Sequence, residues 1–224
     1  SILLKPAGVA TFEFPHLLQL VSENQFDTIY HEHYSYLSLT AVKRVFEHNG
    51  LSVFDVEELP THGGSLRVYA QRTDSAIHEI SPSVTSLLEK EVSAGMTTSE
   101  YYAGFQEKAN KVKNDFVSFL IEANREGKTV AGYGAAAKGN TLLNYAGIRP
   151  DLLPYVVDRN PAKQDKFLPG CRIPIFDEQQ LKLSRPDYVI ILPWNLKAEV
   201  VEQLSYIREW GGQFVTAVPM LKVS

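Results

Sequence analysis

The chain has 224 residues, 44% apolar and 21% charged, the balance of an ordinary globular protein with interior for one large or two small domains. Its net charge of −4 argues against a nucleic-acid partner, which needs a basic field, and its longest apolar runs are far too short to span a membrane. A single cysteine, Cys171, excludes an internal disulfide and a cysteine-rich zinc site; no export signal opens the chain, so the expected compartment is the cytoplasm.

In chain order, Ile2–Gly8 reads as the tail of a helix broken by a turn, and Val9–Phe14 as a buried strand ended by Pro15. A helix follows Ser38 or Thr40 as N-cap, with Val42, Val45 and Phe46 on one stripe, and closes at Asn49-Gly50. Leu51–Leu59 and Leu66–Arg72 are predicted strands joined by the turn Pro60–Gly64. Ser81-Pro82 opens another helix, which Gly95 ends. Thr97 and Glu100 are spaced as a capping box for a long helix whose stripe is Tyr102, Phe105, Ala109, Val112, Phe116 and Leu120. From Lys128 onward strands and helices alternate: strands Thr129–Gly132, Tyr155–Asp158, Tyr188–Pro193 and Phe214–Val218, and helices Lys138–Ala146 and Leu196–Trp210. That alternation implies a parallel sheet with right-handed crossovers.

Two segments carry chemistry. Gly132-Tyr133-Gly134-Ala135-Ala136-Ala137 lies between a strand and a helix at the spacing G-x-G-x-x-A. Such a turn lets backbone approach a phosphate, and the helix N-terminus offers free N–H groups and a positive dipole end. Lys138, Asn140 and Thr141 add a cation and donors one turn in; Asp158 ends the next strand, where a carboxylate can take ribose hydroxyls. Trp194, in Pro193-Trp194-Asn195 after another strand, is placed to stack on a base or to cap the core. A turn needed only for strand–helix packing is the competing reading of the glycines.

The second segment, Phe26–Tyr34, concentrates Tyr30, His31, Glu32, His33 and Tyr34 ahead of a helix. It lacks the His-Glu-x-x-His spacing of a helical zinc site, which disfavours a metal. Histidine titrates near neutrality, and a neighbouring carboxylate and phenol can orient it, so general acid–base chemistry is preferred over a plain solvated loop. The spacing does not choose between His31 and His33.

Leu4-Lys5-Pro6-Ala7-Gly8 is similar to the turn before the fifth strand of class I S-adenosylmethionine-dependent methyltransferases. Phe26–Tyr36, Thr61–Arg67 and Gly132–Thr141 resemble the signatures of the sugar C-methyltransferases, which act on nucleotide-linked 4-keto deoxysugars. The resemblance implies that this is the C-terminal portion of a longer enzyme, with a zinc-binding domain and the S-adenosylmethionine loop lying outside the chain. Residues 1–75 would be the last strands of a methyltransferase sheet of order 3-2-1-4-5-7-6, residues 76–126 a helical connector, and residues 127–224 a Rossmann-like nucleotide-sugar-binding domain. It also implies His33 as general base, with Tyr30 and Glu32 positioning the sugar. His62, Ser65 and Arg67 would then lie near the substrate, as would Gly132, Gly134, Ala136, Lys138, Asn140, Asp158 and Trp194. The fragment alone is expected to be inactive. An NAD(P)-dependent oxidoreductase and a non-catalytic nucleotide-binding module are the alternatives.

Overall fold

The computed structural model describes residues 1–224, which form two compact units: residues 1–24 with 33–105, and residues 25–32 with 106–224. The helical stretch expected at 76–126 therefore divides between them.

The first unit contains β1 (Ala10–Pro15), α1 (Leu17–Ser22), α2 (Leu39–His48), β2 (Leu51–Leu59), β3 (Ser65–Arg72), α3 (Pro82–Ser93) and α4 (Glu100–Ala103). Its sheet runs β1-β3-β2, with β3 antiparallel to both neighbours. That order matches the final 5-7-6 of the sheet that the resemblance implies. Alternation along β3 sends Leu66 and Val68 inward, onto Leu39 and Val42 of α2 and Val84 and Leu87 of α3. Each such side chain contributes roughly 1.5–3 kcal/mol on burial.

Three expectations fail here. Residues 1–8 are turns, with no helical tail. β1 is not buried: it is an edge strand with one partner, and Phe12 is 40% exposed, resting on Phe46 with ring centroids 4.8 Å apart. The capping box does not form; Ser99 takes the N-cap position without a side-chain bond, and Gly104 ends that helix after one turn. Thr98 bonds back to the Gly95 carbonyl, so the chain there follows its turn and not the expected cap.

The second unit opens with α5 (Phe105–Arg125), whose first residue closes the first unit. The expected stripe holds from Ala109 onward, with Ala109, Val112, Phe116 and Leu120 buried at helical spacing; of its first two members, Phe105 is half-buried and Tyr102 is exposed on α4. There follow β4 (Val130–Tyr133), α6 (Ala137–Tyr145), β5 (Val156–Val157), β6 (Lys166–Phe167), β7 (Pro174–Phe176), α7 (Gln179–Ser184), β8 (Tyr188–Ile191), α8 (Lys197–Gln203), β9 (Gln213–Thr216) and β10 (Lys222–Val223). The seven-stranded sheet runs β10-β9-β8-β4-β5-β7-β6; its five inner strands are parallel and its two edge strands antiparallel. The fold is α/β, as expected. Sequence pattern misses β6, β7, β10 and α7, because elements this short carry too little period to register. The single helix expected at Leu196–Trp210 is α8 flanked by 3₁₀ turns.

From β4 the chain steps to β5 on one side, and later returns to β8 on the other. Open parallel sheets bind ligands where that order reverses, outside the carboxyl ends of the two strands. Here those ends carry the glycine turn and Pro193-Trp194-Asn195.

Candidate functional site

At the switch point of the second unit, Lys138 leaves the first turn of α6, and its Nζ donates to Asn195 Oδ1 at 3.1 Å. The same ammonium stands 4.4 Å from the centroid of the Trp194 ring. Lys138 is 7% exposed, and burial, the dominant influence, lowers its pKa against the opposing pull of Asp27. The N-cap residue of α6, Ala136, makes no side-chain cap bond, and the positive end of the helix dipole lies at this turn. Asn140 and Asn144 pair along the next turn, and Ala136 N donates to Gly134 O across the loop.

The glycines serve the chain's own packing. A Cβ on Gly132 would lie 2.7 Å from Val156 Cγ2, and one on Gly134, whose φ is +88°, would lie 2.6 Å from Pro193 Cδ. In the expected pattern Ala137 fills the third small place, yet it is exposed; Gly139 makes the close helix–strand approach, its Cβ position 2.6 Å from Leu192 Cβ. Asp158 also works inside the fold: Oδ2 accepts from Ala135 N at 2.7 Å and pairs with Lys163 Nζ at 3.2 Å, while Oδ1 accepts from Asn160 N. These bonds hold the loop that follows β5 against the glycine turn.

The residue that sequence reasoning passed over is Asp27. The segment Gln25–Glu32 belongs to the second unit, where Phe26–Thr28 forms one 3₁₀ turn. Phe26 packs on Tyr145 of α6, centroids 5.4 Å apart, and the Asp27 Oδ2 accepts from Trp194 Nε1 at 2.7 Å. Asp27 is fully buried and its Oδ1 has no hydrogen-bond partner. Burial pushes its pKa up to about 6, against the lowering effects of the Trp194 bond and the Lys138 charge. Its place inside the Phe26–Tyr34 run was visible; a carboxylate aimed inward was not. Beyond it, Tyr30 is half-buried and Glu32 and His31 are exposed.

In the first unit, His33 is half-buried and meets Tyr36 edge-on, centroids 6.5 Å apart. His62 is exposed on the Thr61–Gly63 turn with φ +56°. Ser65 is buried and bonds to Thr61 O at 3.2 Å. Arg67 is paired twice, with Glu13 at 2.9 Å and Glu57 at 3.2 Å. The hydrogen bond from Arg67 holds the Glu13 carboxyl below its ordinary range. Neither unit has three or more His, Cys, Asp or Glu side chains placed to hold a metal ion, so zinc, which the resemblance assigns to a separate domain, finds no ligand set in these residues. No helix is long and apolar enough to cross a membrane.

The mostly parallel sheet with its switch point between β4 and β8 makes this an α/β protein of the Rossmann-like kind. Residues 60–219 match the family described as the C-methyltransferase C-terminal domain. Over 223 residues, the whole of this chain, the sequence is 39% identical to C-methyltransferase NovU of Streptomyces niveus, and the match covers 53% of that protein. The chain belongs to the C-methyltransferase family and spans about half the length of this curated relative.

Proposed function

We propose that this chain supplies the general base and the nucleotide-sugar site of a C-methyltransferase that acts on a nucleotide-linked 4-keto deoxysugar, at a carbon next to the ketone. The observation that carries the reading is the bond from Trp194 to Asp27, which ties the turn just before Tyr30 and Glu32 to the switch point where a phosphorylated ligand is expected. In this reading the diphosphate meets the leading N–H groups of α6, with the charge of Lys138 beneath, and the nucleotide lies along the loop that holds Trp194.

The hydrogens beside a ketone are acidic because the resulting carbanion is delocalised as an enolate. His33 takes one of them on an imidazole nitrogen, and Tyr30 and Glu32 position the sugar. S-adenosylmethionine supplies the electrophilic methyl group.

The test separates base from donor. In deuterated water the enzyme should exchange the hydrogen beside the ketone even without S-adenosylmethionine. His33→Ala should slow both exchange and methylation by about 10²–10⁴-fold, the usual contribution of a general base. Wild-type exchange in that variant would reassign the base.

A further inference from the structure

A neutral side chain could accept the bond from Trp194 Nε1, yet Asp27 places a carboxylate there, fully buried, with one oxygen unpartnered. An isolated buried charge is costly unless an opposite charge offsets it. Asp27 faces the indole of Trp194 from the loop after β8 and the ammonium of Lys138 from α6, which attracts it. Lys138 in turn rests on the Trp194 ring and bonds Asn195. Three segments thus share one charge balance: the turn before Tyr30, the start of α6 and the end of β8.

A phosphate arriving at the start of α6 would draw on the same positive charge that offsets Asp27. The carboxylate would then be favoured in its protonated form, and its hold on Trp194 would change. The turn is short and closed by its own bonds, Thr28 N to Gln25 O at 3.0 Å and Ile29 N to Phe26 O at 3.1 Å, so a shift at Asp27 carries to Tyr30 three residues on.

We propose that Asp27 is a positioning residue through which a diphosphate bound at the start of α6 sets the Tyr30–Glu32 segment for catalysis. The proposal rests on the function proposed above and adds to it a link between substrate binding and the catalytic run. The raised pKa of Asp27, about 6, makes the link measurable near neutrality.

Trp194 reports on it directly. In a Trp210→Phe background the emission of Trp194 should titrate with a midpoint near 6, and saturating thymidine diphosphate should move that midpoint up by about half a unit or more. Asp27→Asn should abolish the titration. In the active methyltransferase, the same variant should lower kcat roughly 10–100-fold while leaving KM for the nucleotide-sugar within about threefold, as expected of misplaced catalytic groups on an intact binding site. An unmoved midpoint in the presence of the diphosphate, or failure of the diphosphate to bind, overturns the proposal without need of the Asp27 variant. So does a fully active Asp27→Asn. Retained exchange in His33→Ala would sink the base assignment and leave the Trp194 titration standing on its own.

Discussion

Each unit buries one carboxylic acid completely, and the two are treated in opposite ways. Glu91, on α3 of the first unit, has both oxygens engaged: Oε1 accepts from Leu39 N at 2.7 Å and lies 3.2 Å from His16 Nε2, and Oε2 accepts from Thr40 N at 2.8 Å and Thr40 Oγ1 at 2.6 Å. Burial pushes its pKa up, but the bonds from His16 and Thr40 and the Leu39 amide outweigh it, and the carboxyl ends below its ordinary value. Asp27 has one side-chain donor, one orphaned oxygen and a raised pKa. A fully bonded buried acid fastens a fold; here it satisfies the first amides of α2. An under-bonded one stores unfavourable free energy, and such groups concentrate where function needs them.

The largest effect expected from this contrast is at Glu91. Glu91→Ala removes the acceptor of the Leu39 and Thr40 amides and leaves His16, 1% exposed, without its Nε2 partner, so the first unit should lose about 3–5 kcal/mol, read as a drop in the denaturation midpoint. A loss below about 1 kcal/mol would make the two acids equivalent and remove the distinction.

Next comes the pH dependence of stability. Asp27 rises from its ordinary 3.8 to about 6 on folding, so the folded state binds the proton more tightly. The stability this confers is complete below about 3.8 and is lost as pH rises through about 6, on the order of 3 kcal/mol over that window. Glu91 has the opposite sign: its contribution is present above its ordinary 4.5 and is lost as pH falls through its lower folded value. Urea denaturation across pH 4 to 7 should show the falling component in the wild type and not in Asp27→Asn.

The smallest effect concerns the frame around Lys138. Gly139→Ala gains roughly 1 kcal/mol in helix propensity but sets a Cβ against Leu192 in packed interior, where overpacking costs about 1–3 kcal/mol. A modest net destabilisation is expected; a stabilised variant would show that α6 and β8 have room to part.

Much of this was legible in advance. The helical stripe of α5, the hairpin of β2 and β3 and the α/β alternation after Lys128 follow from apolar spacing, a local property. Residues Phe26–Tyr36 and Gly132–Thr141 also stood out, because ionisable clusters and glycine turns are uncommon enough to notice. Roles inside those segments were harder. Asp158, expected as a ribose ligand, also clasps its own loop, and Arg67, expected near the substrate, is bracketed by Glu13 and Glu57. Those glutamates lie 54 and 10 positions away in sequence, and no local pattern links them to it.

Sequence by itself determined the element types, the α/β class and the segments in which reactive side chains gather, since periodicity and turn chemistry act over a few residues. Only tertiary structure decided that Gly139 and not Ala137 makes the close approach, that Asp27 turns inward, and that Trp194, 167 positions later, donates to it. Burial and partnership depend on which distant segments share a volume, and the free energy of a buried charge is set by that volume and not by its neighbours along the chain.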